Sequence, residues 1–392
     1  MRYQFPLIRT IDDVLPHIEG RDEFIVAERD YGTIINYSVS FEDTFPPIKV
    51  SGGSARMRAE RALTNAMRRE CRGLIFYPDG RIMSRPFHKF FNVGEREETL
   101  PNRIDLTEPH IVMEKMDGSM IRPVIANGHL RLGTKMGITE VAMNAEIWLA
   151  QRGDNVSGWL RSMVDVGATP LFEWVSRKNQ IVLDYAEDDL VLLAVRDNIT
   201  GEYRDINSLD APFTVVPQYG SIQGNLSDYL ARARAQEGRE GDIIAFADGH
   251  RVKIKNDWYV RIHKVLDRVR FDRHIVDLIL TEKLDDAAPL LPQHEADRVR
   301  DFADRFSKRL HHLVENYECY WNTVVASGLD RKRYAQEWMP SIKSNDPFAA
   351  AYVFGRFDNR DGRTMILDHI QKHTSTNTRW DECAQWMGLN HV

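Results

Sequence analysis

The chain is 392 residues long, 43% apolar and 28% charged, with a formal net charge of −6. That length supports two domains with separate cores, and the composition is that of an ordinary soluble globular protein. It excludes a thiolate zinc site, since Cys71, Cys319 and Cys383 are scattered with no CxxC pair, and it excludes a bilayer-spanning run.

Taken in order, the chain begins without the apolar core of a signal peptide, and its few cysteines suit a reducing cytoplasm. Strands are predicted over 24–27 and 33–39 around Asp30-Tyr31-Gly32, and over 73–77, which ends at Pro78-Asp79-Gly80. Further strands are predicted over 111–114 and 120–125 on either side of Asp117-Gly118, then over 129–134, 171–175 and 189–195. Residues 242–247 and 250–255 read as a hairpin across Asp248-Gly249. Helices are predicted over 140–151 and 226–236.

From about residue 265 the apolar spacing becomes helical. Val299, Phe302, Phe306, Leu310, Leu313, Val314, Tyr317 and Trp321 recur mostly at three or four residues, and Gly328 can close that helix. Further helices are predicted over 330–338, 346–353 and 363–373, with Asp346 as a cap and Pro347 at the first helical position. The expected architecture is α+β over 1–265, followed by an all-α domain over 266–392.

Chemistry concentrates in a few segments. In Lys115-Met116-Asp117-Gly118-Ser119 a lysine precedes an Asp-Gly turn by two residues, the way covalent nucleotidyltransferases present a nucleophile. Read alone, it is a turn with an exposed lysine. A lysine amine is a poor nucleophile while protonated, so neighbouring cations and desolvation are expected to help it. Lys253 and Lys255 are the candidates: strand alternation puts both on one face, with Val252 and Ile254 pointing into the core. They would also bind phosphates.

Glu173 lies in an otherwise apolar strand and suits a ribose hydroxyl or a metal. Glu240 precedes Gly241, which permits close backbone approach, and could hold Mg2+. Arg72 offers a phosphate-binding fork. The run Arg85-Pro86-Phe87-His88-Lys89-Phe90-Phe91-Asn92 interleaves basic and aromatic residues, as a nucleotide cleft would, or as a buried Phe cluster with solvated charges would. Residues 253–273 hold seven Lys or Arg against three Asp, a local surplus of four in an acidic chain.

Cys71-Arg72-Gly73, Ser84-Arg85-Pro86 through Asn92, the Lys115 element, Glu173 with Asn179-Gln180-Ile181-Val182-Leu183, Glu240-Gly241, and Lys253 through Val260 occur in that order. The set resembles the bacteriophage RNA ligase 1 family of the covalent nucleotidyltransferase superfamily. The match is dense from 70 to 262 and thinner elsewhere, although Asp330 to Glu337 resembles a helix of the family's C-terminal domain. The resemblance implies an ATP-dependent RNA ligase that joins a 3′-hydroxyl to a 5′-phosphate through AMP bound to Lys115. It implies that Arg72, Lys89, Lys253 and Lys255 contact ATP or the adenylate, that Glu173 contacts the sugar, and that Glu240 supports catalysis and Mg2+ or Mn2+. Tyr259 and Lys135 match functionally important positions, Tyr37 matches one lining the adenosine pocket, and Asp285 matches a metal-linked aspartate. Repair of a nicked tRNA follows by family analogy alone.

Two other readings stand beside this one. A DNA ligase or mRNA-capping guanylyltransferase would carry a β-rich OB-fold after the last lysine motif, where this chain turns helical. A non-catalytic RNA-binding protein on a ligase fold would have no use for Lys115. The sequence leaves the oligomeric state and the natural RNA open.

Overall fold

Turn residues set the strand pattern. Asn127 and Gly128 both take positive φ, as does Gly249, at the tips of two hairpins, the backbone that tight hairpin turns require. The computed structural model describes residues 4–389. The chain divides into two compact units, 1–260 and 261–392.

The first unit is built on three sheets. One has the order β1-β2-β3-β4, from Phe24–Arg29, Gly32–Tyr37, Leu74–Phe76 and Ile82–Ser84. Its core takes in Met67 and Cys71 from the end of helix α1 (Ala55–Glu70) and the residue after it. A second sheet contains β7 (Ser119–Ala126), β8 (His129–Gly133), β9 (Ala168–Val175), β10 (Asp189–Asp197) and β11 (Tyr203–Arg204), in the order β11-β10-β9-β7-β8. Helices α2 (Glu140–Ala150) and α3 (Asp154–Asp165) supply Ala142, Leu149, Val156 and Leu160 to its core.

The third sheet carries the lysines. Its order is β5-β13-β12-β6, from β5 (Phe91–Asn92), β6 (His110–Lys115), β12 (Gly241–Phe246) and β13 (Arg251–Lys255), with only β5 and β13 parallel. Helix α4 (Leu226–Ala235) packs Leu226, Leu230 and Ala233 with Val252, Ile254, Ile244 and Val112. Val252 and Ile254 are therefore buried, and Lys253 and Lys255 take the opposite face of β13.

Glu70, at the end of α1, is fully buried between Arg85 (3.1 Å) and Arg196 of β10 (2.7 Å). Burial opposes its charge, but Arg196 and Arg85 hold the carboxyl below the usual range. Losing one member of such a triad costs about 3–5 kcal/mol, because it strands a buried charge.

The second unit is helical: α5 (Asp257–Val269) runs across the division, followed by α6 (Asp272–Leu280), α7 (Leu284–Ala287) and α8 (Gln293–Ala326). Helices Pro347–Phe357, Gly362–His373 and Asn377–Met387 complete it. The apolar stripe of α8 forms a core with Tyr352, Val353, Ile366 and Trp380. Asp346 caps as its sequence suggests, accepting from Ala349 N at 3.0 Å. Among the described residues no helix is long and apolar enough to cross a membrane.

Candidate active site

One row of the third sheet assembles the lysines. Gly241 pairs with Lys115 on one side and with Lys255 on the other. Glu240, buried just before it, lies with Oε2 2.6 Å from Lys115 Nζ and Oε1 3.2 Å from Lys255 Nζ. Gly241 has φ +150°, and a Cβ there would meet Ile254 O at 1.9 Å; no side chain fits in the middle of the row. Asn256, fully buried, donates its N–H to Glu240 O and its Nδ2 to Arg239 O, both at 3.0 Å.

The turn after Lys115 is held by one carboxylate. Asp117 Oδ1 accepts from Tyr259 OH at 2.6 Å, and Oδ2 accepts from the N–H groups of Val182 and Leu183 at 2.8 Å each. Its own N–H donates to Tyr185 OH at 2.9 Å. Asn179 Nδ2 donates to Ser119 Oγ at 3.0 Å. Gly118 packs so closely on β9 that a Cβ would lie 2.3 Å from Trp174 O. The segment 179–183 therefore acts through its backbone and Asn179. Tyr259, implied to contact nucleotide, is 2% exposed with its hydroxyl on Asp117, which makes it a brace for the turn. Tyr185 carries no motif, and nothing local in the sequence points to it.

Two ionisable groups here are displaced from their ordinary range. Glu173 of β9 is pushed up to about 8: burial is the main cause, Lys115 opposes it, and the Glu240 and Asp117 carboxylates add to it. Lys253 is pushed down to about 7 by burial and by the cations Arg72, Lys89 and Lys115. Beside them, Lys89 Nζ donates to Tyr37 OH at 3.3 Å and lies 5.1 Å from the Tyr37 ring centre, with Lys135 Nζ at 5.7 Å. Burial raises the Tyr37 phenol, but Lys89, Arg72 and Lys135 together bring it below its usual range. Tyr37 thus sits among cations. Gly73, with φ +99°, lets the Lys135 backbone approach to within 2.7 Å of where a Cβ would stand.

Other expectations change. Arg85 and His88 are buried at 0% and 1% exposure and belong to the core, so of that run Lys89 reaches the cations around Tyr37. The nearest charged group to Lys115 is the Glu240 carboxylate, not a cation. Asp285 is exposed on α7 in the second unit. Glu173 and Glu240 supply hard oxygen donors of the kind a divalent cation takes, with both Glu240 oxygens paired to Lys115 and Lys255. Mg2+ commonly takes one or two carboxylates and completes its shell with substrate phosphates. Among the described residues the three-ligand group is elsewhere, at Glu108, Asp248 and His250 by the tip of the β12–β13 hairpin.

Sequence comparison finds similarity to RNA ligases. The family described as RNA ligase matches residues 70–259. A Thermovibrio ammonificans protein provisionally assigned as an RNA ligase is 28% identical over 317 residues, 77% of this chain and 78% of that protein. RNA ligase 1 of bacteriophage TS2126 is 28% identical over 322 residues, 78% of this chain and 80% of the phage protein. Among solved structures, an archaeal ATP-dependent RNA ligase covers 73% of this chain and 72% of its own at 14% identity, with a TM-score of 0.43, too slight a likeness to carry an argument.

Proposed function

We propose that this chain, which the RNA ligase family matches over residues 70–259, is an ATP-dependent RNA ligase joining 3′-hydroxyl and 5′-phosphate ends. The observation that carries the reading is the row Lys115–Gly241–Lys255 with Glu240 between the two amines. A nucleophile, a carboxylate able to take its proton and a cation for phosphate are fixed together, and a passive RNA-binding surface needs no such set.

In the proposed reaction Lys115 Nζ attacks the α-phosphorus of ATP. The N–P bond forms, the bond to pyrophosphate breaks, and the carboxylate of Glu240 receives a proton from the amine. Arg72, Lys89, Lys253 and Lys255 stabilise negative charge on the phosphates. Lys253 can gain its charge as they arrive. Glu240 and Glu173 would hold a divalent metal, which when bound neutralises triphosphate charge. The RNA 5′-phosphate then attacks the lysyl-AMP phosphorus, freeing Lys115. Finally the 3′-hydroxyl attacks the activated 5′-phosphorus, a phosphodiester forms and AMP leaves.

The test is intact mass after incubation with ATP and Mg2+. The protein should gain one AMP, and Lys115→Ala should gain none, since no other amine occupies its place in the row. An adduct of normal yield on Lys115→Ala would falsify the assignment.

A further inference from the structure

Helix α1 begins unlike any other helix of the first unit. Every residue from 51 to 61 is exposed, including its first seven positions, Ala55 to Arg61. A helix start with no buried side has nothing of the unit to pack on. Residues 49–61 are rich in cations: Lys49, Arg56, Arg58 and Arg61 against Glu60 alone, a surplus of three in a chain of net charge −6.

Arg58 and Arg61 are also aligned with the site, while Arg56 pairs with Glu60 at 2.8 Å. Arg58, Arg61, Asn65, Arg68 and Arg72 follow at intervals of three and four, which places them along one side of the helix and just past its end. At about 1.5 Å per residue, the helix carries the stripe about 18 Å from Arg58 to its end at Glu70, two residues before Arg72. Arg72 is among the groups that shift Lys253, Tyr37 and Glu173, so the stripe ends at the proposed phosphate-binding cations. Arg58 and Arg61 each donate one bond to the preceding turn, to Gly53 O at 2.5 Å and to Gly52 O at 2.7 Å. A guanidinium has five N–H donors, so these braces leave most of each fork for another acceptor.

We propose that the exposed start of α1, with Lys49, Arg56, Arg58 and Arg61, seats the phosphodiester backbone of the RNA strand whose end enters the site at Arg72. The occupant follows from charge: an exposed surplus of cations meets a polyanion, and its guanidinium forks match phosphate oxygens. The inference rests on the ligase reading and extends it to a substrate surface.

The test compares the full-length protein with Lys49→Glu/Arg56→Glu, two positions that do not brace the Gly52–Gly53 turn, and with Arg58→Gln/Arg61→Gln. AMP transfer to the protein is followed by mass, and binding of a fluorescent oligoribonucleotide is titrated over a range of salt. Both variants should form the AMP adduct at the parent's rate and bind RNA at least tenfold more weakly at low salt. The slope of log affinity against log salt should fall by about 0.7 for each phosphate contact removed. Unchanged RNA affinity and slope would overturn the proposal. So would a loss of the adduct itself. If the parent forms no adduct the ligase reading fails separately, and the RNA titration still reports on α1.

Discussion

Glu173 is kept in a state that costs stability. Its carboxyl is pushed up to about 8 from an ordinary 4.5, by burial first and by Glu240 and Asp117 in addition. Between those two values the folded chain binds a proton that the unfolded chain releases, so stability falls as pH rises through the window. Glu173→Gln removes the titration. In the ligand-free protein the variant should gain about 1–3 kcal/mol over the parent at pH 8.5 and little at pH 4.5, read from urea midpoints at both values. Equal midpoints at pH 8.5 would show that Glu173 bears no such burden. Adenylylation should suffer, the usual cost of relaxing a strained site. At this scale the sequence was legible where chemistry is written as spacing: Lys115 before Asp117-Gly118, and Lys253 with Lys255. It was silent on Tyr185, because a tyrosine that accepts one backbone N–H 68 residues away leaves no local pattern.

At the scale of elements, β12 is the strand on which the site depends. Gly241 lets β6 and β13 pair on either side without a side chain, and a Cβ would meet backbone at 1.9 Å. Gly241→Ala should cost about 1–3 kcal/mol or more and reduce adduct formation, because the row must open to admit a methyl group. Gly158 is the control: it lies in α3 with nothing within 4 Å of an added Cβ, so Gly158→Ala should be neutral or gain about 0.5–1 kcal/mol. Urea unfolding of both variants checks the contrast, and similar losses would remove the steric argument. Most strands of the first unit were readable because Gly-containing turns punctuate them. The helix α1 was not: its buried residues cluster near its end, at Ala66, Met67, Arg69 and Glu70, and its arginines give no apolar period. The long helix α8 was readable for the opposite reason, since its stripe packs a core along most of its length.

At the scale of the molecule, the two units have separate hydrophobic cores, and every residue assigned to AMP transfer lies in the first. A chain ending after Arg270 keeps α5 whole and should still form the AMP adduct, at a yield within about threefold of the full chain if the two cores fold independently. Loss of the adduct in a truncated chain that is shown to be folded would mean that the second unit contributes to the chemistry. The Asp117 carboxylate has a different consequence. It joins its turn to Tyr259, 142 residues further on, and to Val182 and Leu183 at 65 and 66. At about 5–20 residues per second of synthesis, Tyr259 is made about 7–28 seconds after Asp117. For that interval a growing chain already carries Lys115 but has neither the tyrosine that steadies its turn nor the strand that supplies Lys255. A nascent chain that has not yet reached Lys255 and Tyr259 therefore lacks the set assigned to AMP transfer: the order of synthesis withholds the reaction until that piece of the site exists.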